Sequence, residues 1–95
     1  MLDYLKRHIL EELDGALDYM TKAVEHKGTK EGCTFRKMSE MELEHANALT
    51  KMFKDTDKDV GMTEKEYSAA QKDVLDGYVE VMGKIEGLKK LYWAE

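Results

Sequence analysis

The chain has 95 residues, 42% hydrophobic and 37% charged, which is enough apolar material for one packed domain and too much for a disordered chain. Fifteen Lys and Arg stand against 20 Asp and Glu, and the net charge of −5 disfavours a nucleic-acid backbone as partner. The lone Cys33 excludes an intrachain disulfide and a Cys-based zinc site, no apolar run is long enough to span a membrane, and the charged N-terminus does not read as a signal peptide, so a cytoplasmic protein is expected.

Proline is absent, and Met, Glu, Lys, Leu and Ala are abundant, which points to an all-α fold. Apolar spacing predicts helices over about residues 2–27, 30–54 and 63–92, in one domain spanning 1–95. The first helix has a seam of Leu2, Leu5, Ile9, Glu12, Ala16, Tyr19 and Ala23, flanked by Leu13, Met20 and Val24. Glu12 is the one carboxylate in that stripe, while Glu11 points about 100° away. After the turn at Lys27-Gly28-Thr29 the second helix has the seam Phe35, Met38, Glu42, His45, Leu49 and Met52, in which Glu42 and His45 project from one face. The loop Asp55–Gly61 follows. Thr63 and Glu66 then fit a capping box for the third helix. Its seam of Tyr67, Val74, Tyr78, Val81, Ile85, Leu88 and Tyr92 holds no carboxylate or imidazole, with Gln71 the nearest polar member. Gly83 and Gly87, four apart, would let another helix approach closely.

Burying a carboxylate costs several kcal/mol unless it is paired, protonated or bound to metal, and no Lys or Arg lies in either of the first two seams. A cation held by Glu12, Glu42 and His45 is the simplest compensation, and a mixed oxygen and imidazole set suits iron or manganese, with zinc compatible on ligand type. A di-iron carboxylate bundle needs one Glu from each of two helices and a Glu-x-x-His from each of the other two. This chain supplies half of that set. Two copies about a two-fold axis would complete it, and four carboxylates would balance two divalent cations.

Glu12-Leu13-Asp14-Gly15-Ala16-Leu17-Asp18-Tyr19 is similar to the Glu-then-Tyr pattern in the first helix of ferritin-like and rubrerythrin-like proteins, and Glu42-Leu43-Glu44-His45-Ala46 resembles their E-x-x-H-A segment. The interval from Glu12 to Glu42 also resembles that of the half-sized encapsulated ferritins, and the likeness covers about residues 5–53. The resemblance implies a helical hairpin plus a third helix that dimerises into a ferritin-like four-helix bundle. It implies ferroxidase activity at a di-iron centre between two subunits, with O2 or peroxide as oxidant and manganese or zinc as substitute metals. Glu12, Glu42 and His45 would be the ligands, and the Tyr19 hydroxyl would hydrogen-bond a ligand carboxylate. Glu11 and Asp14 lie near the acidic iron-entry positions of encapsulated ferritins, and His8 is a further imidazole one turn before Glu12. The expected assembly is a homodimer or a multiple of dimers. An encapsulin shell stays open as a partner, although Leu91-Tyr92-Trp93-Ala94-Glu95 carries no targeting tail.

Two other readings compete. Asp55, Asp57, Asp59 and Glu66 fall at calcium-loop positions between two helices, as in an EF-hand, but Val60 stands where that loop needs glycine. Alternatively, the Met-rich seams could serve a non-catalytic helical interaction module.

Overall fold

The computed structural model describes residues 1–95. It is all-helical: α1 spans Leu2–Glu25, α2 Lys30–Lys54 and α3 Glu64–Trp93. The expected helices are present, with ends shifted by at most two residues. α1 and α2 form an antiparallel hairpin. α3 runs parallel to α1, since Lys6 pairs with Asp73 near one end and Lys27 donates to the Leu91 carbonyl, 2.9 Å away, at the other. α1 packs against both neighbours, whereas the backbones of α2 and α3 do not come into contact.

The hairpin is close because small residues face each other. Along α2 the buried positions are Gly32, Ser39, Ala46 and Phe53, and the buried line of α1 includes Ala16 and Ala23. The Ser39 hydroxyl donates to the Ala16 carbonyl at 2.7 Å, which satisfies a buried polar group while holding the helices together. At the turn, Thr29 caps α2 by accepting from the Gly32 amide at 3.0 Å. A Cβ on Gly32 would collide with the His26 carbonyl oxygen and come within 2.8 Å of its carbon, so only glycine lets α2 start so close to the end of α1.

The core follows from the third helix. α3 contributes Val74, Val81 and Ile85, and draws the deepest line of α1 towards Leu2, Leu5, Ile9, Leu13, Ala16, Met20 and Ala23. Leu13 and Met20 therefore occupy the interior that the simple spacing assigns to Glu12 and Tyr19, which lie half-buried at its edge. The α2 seam shifts in the same sense: Glu42 is half-buried and the His45 side chain is 58% exposed. Close approach of α3 to α1 occurs at Gly77, where a Cβ would meet Leu10 Cδ2, while Gly83 and Gly87 face open space.

Met1 offers no side-chain oxygen to cap α1. Asp59 does so from the α2–α3 loop, accepting from the Leu2 amide at 2.8 Å, the Asp3 amide at 3.1 Å and the terminal ammonium at 2.8 Å. These donors lower its carboxyl to about 2, the ammonium contributing most. A depressed carboxyl stabilises the fold above its unfolded range near 3.8, and the contribution is lost as pH falls through about 2. Asp59→Asn is expected to lower the melting temperature at neutral pH and flatten the acid limb of the stability curve. An unchanged acid transition would remove the cap from this account.

Candidate metal centre

Glu12 projects from the middle of α1, and Glu42 and His45 from successive turns of α2. One ligand atom of each lies within 4.8 Å of the others. His45 Nδ1 is 3.5 Å from Glu12 Oε2. That oxygen is buried and has no hydrogen-bond partner. A buried acceptor without a donor is rare in folded chains, and here it points into a space bounded by a second carboxylate and an imidazole. The Glu42 carboxyl is raised above its ordinary range, first by the Glu12 carboxyl lying against it, then by burial and by the Glu12 charge, with His45 opposing. Two acids pressed together in this way repel each other in their charged forms, and a cation between them relieves that repulsion. With both acids ionised and the imidazole neutral, one divalent ion balances the cluster. The donor set fits iron.

Gly15, one turn after Glu12, makes room for this arrangement. A Cβ there would stand 3.1 Å from Glu42 Oε2, so its absence lets the carboxylate lie against α1. Spacing alone did not assign Gly15 to the site. The available signal was a glycine inside a helix, at a cost of about 1 kcal/mol relative to alanine.

The other residues singled out from the sequence lie around this cluster without joining it. The Tyr19 ring is half-buried and stacks on Phe35 with centroids 6.3 Å apart, and its hydroxyl makes no hydrogen bond to Glu12 or Glu42. Glu11 is exposed, with Oε2 3.7 Å from His8 Nδ1, and Asp14 is exposed on the outer face of α1. The acids of the 55–66 loop do not converge: Asp59 caps α1, and Glu66 reaches back to the Thr63 amide in the expected capping box. Cys33 lies away from the centre, its Sγ 3.9 Å from Arg36 Nη2.

The centre opens onto the side of the hairpin away from α3. Met41 and Met52, each 53% exposed, stand on this α2 face with His45, and Tyr4 is half-exposed on α1. His45, the outermost member of the cluster, is thus open to solvent on a face that also carries exposed methionines.

Comparison with known proteins gives one assignment. Neither the curated proteins nor the solved structures yield a match. A family model described as Rubrerythrin matches residues 3–91, a span containing all three candidate ligands and most of α3. The chain therefore belongs to the rubrerythrin family, a family of the ferritin-like superfamily.

Proposed function

We propose that two copies of this chain pair through the open α1–α2 face and hold a di-iron centre between them, where ferrous iron is oxidised. The family is one of iron-binding, oxidoreductase-related helical bundles. The observation that carries the reading is the buried, partnerless Glu12 Oε2 beside Glu42 and His45. Each chain holds one Glu and one Glu-x-x-His, half the complement of a di-iron carboxylate bundle. The exposed methionines around the centre supply adaptable apolar surface for a second copy.

Glu12, Glu42 and His45 would bind and orient the substrate iron, and the cation would relieve the repulsion between the two carboxylates. Two ferrous ions held together can pass two electrons to one acceptor, so O2 takes two protons and leaves as peroxide, or peroxide takes two and leaves as water. Glu11 and Asp14 form an acidic approach on the outer face of α1, and Tyr19 would support the ligand helix through its packing on Phe35. A reducing cytosol, the compartment expected from a lone free thiol, would keep the substrate ferrous. Manganese or zinc would fill the same donor set without that two-electron step.

The test is anaerobic loading with ferrous ion, followed by sizing with iron and protein measured in the same fractions. The expected result is about one iron per chain in a dimer or multiple of dimers. Oxidation on admission of O2 or peroxide should follow. Glu42→Ala and His45→Ala should lose both. Equal iron content and oxidation rates in wild type and variants would overturn the proposal.

A further inference from the structure

A second concavity lies where α2 and α3 diverge, on a face of α2 different from the one carrying Glu42 and His45. Its volume is about 690 Å3, within the range of small-molecule sites. Phe53 and Val74 are buried at its base, and Leu75 stands at its edge with 63% exposure. Tyr78 crosses the upper end, its hydroxyl donating to Asn47 Oδ1 at 3.0 Å and lying 2.8 Å from Thr50 Oγ1. Asn47 lines the groove, and with its Oδ1 taken by Tyr78 its amide nitrogen is left as a donor without a partner in the chain.

Lys51 and Lys54 stand one turn apart on the rim, and neither forms an ion pair within the chain. Two uncommitted ammonium groups beside an apolar floor are distinctive in a chain of net charge −5. The lining residues cover two turns of each helix, a length of about 10 Å. That is too short for a partner helix to bury the area a stable interface needs, but it suits a compact molecule.

We propose that this groove binds a compact amphipathic anion, one acidic head group on a short apolar or flat aromatic body. The body would cover Phe53, Val74 and Leu75, and the head group would accept from Lys51, Lys54 and the Asn47 amide. This site is independent of the carboxylate cluster and of the oxidation chemistry proposed there.

The probe is 1-anilinonaphthalene-8-sulfonate, titrated into the full-length metal-free chain. The expected result is one saturable site per chain, weakened by high salt. Lys51→Glu/Lys54→Glu and, separately, Leu75→Glu should weaken binding by about tenfold or more, whereas Lys51→Arg/Lys54→Arg retains it. Met41→Glu, on the other face, should leave binding unchanged. Displacement by 2-naphthoate or by octanoate supports the site and tells a flat body from a linear one, while displacement by neither overturns it. The two lysines also complement the C-terminal carbonyls of α2. If that is their whole role, charge reversal lowers helix stability and leaves probe binding intact, which would overturn the proposal. So would loss of binding in Met41→Glu with retention in the groove variants.

Discussion

Glu42→Gln is expected to raise the melting temperature of the metal-free protein and to abolish its stabilisation by ferrous ion. Both effects have one cause. In the metal-free chain Glu42 sits against Glu12, and its carboxyl is held above the ordinary range by that contact and by burial. A raised carboxyl contributes stability that is complete below the unfolded value near 4.5 and lost as pH rises through the folded value. At neutral pH the wild type therefore bears a repulsion that an amide does not. The variant should be the more stable metal-free protein at pH 7, and the difference should shrink towards pH 4.5. With metal the order reverses. A ligand that binds only the folded state, at a hundredfold excess over its Kd, adds about 2.7 kcal/mol. For a domain of this size that is a rise of roughly 10–20 °C in melting temperature. Thermal scans of both proteins with and without ferrous ion, under argon at two pH values, read both effects. An equal metal-dependent rise in the two proteins would separate Glu42 from the metal.

Gly32→Ala is expected to be the most damaging single methyl addition in the chain. The new carbon would meet the backbone of His26 and, at 3.2 Å, the Ala23 carbonyl oxygen, and a backbone cannot turn aside as a side chain can. Relief requires α2 to move away from α1 at the turn, which strains the Thr29 cap and the Ser39 to Ala16 hydrogen bond. Overpacking of this kind costs about 1–3 kcal/mol, and the upper end is expected here because every obstructing atom is main chain. Gly83→Ala is the matched control. That position faces open space in the middle of α3, so the same change should stabilise by about 0.5–1 kcal/mol. Urea denaturation of both variants checks the contrast. Similar midpoints would mean that the tight hairpin turn is not what limits stability.

Helix boundaries were legible because no proline interrupts the chain, the turn at Lys27-Gly28-Thr29 breaks the apolar pattern, and the capping signal at Thr63 is local. The convergence of Glu12, Glu42 and His45 was legible because a short turn between helices of similar length fixes their register. What spacing could not supply was the rotation of each helix about its axis. That rotation depends on where α3 lies, and α3 is chosen by contacts such as Leu10 and Leu13 against Gly77. Leu13 therefore replaced Glu12 in the deep interior, which left the acids at an accessible edge. Nor could periodicity reveal that Asp59 caps a helix that begins more than fifty residues earlier.

The central position of α1 divides the molecule into two units of different persistence. α3 reaches α2 through side chains only, among them the Tyr78 hydroxyl and the stacking of Arg36 on Tyr92 and Trp93, its carbon 6.0 and 5.3 Å from the ring centres. A fluctuation that lifts α3 away thus disturbs one helix–helix contact surface and leaves the α1–α2 hairpin with its carboxylates intact. Amide exchange should follow that division, with α3 exchanging through a partial opening and the paired amides of α1 and α2 near Ser39 through opening of the whole fold. The carboxylate–histidine cluster rests on the more persistent unit, and the groove at Lys51 and Lys54 lies on the seam that opens first.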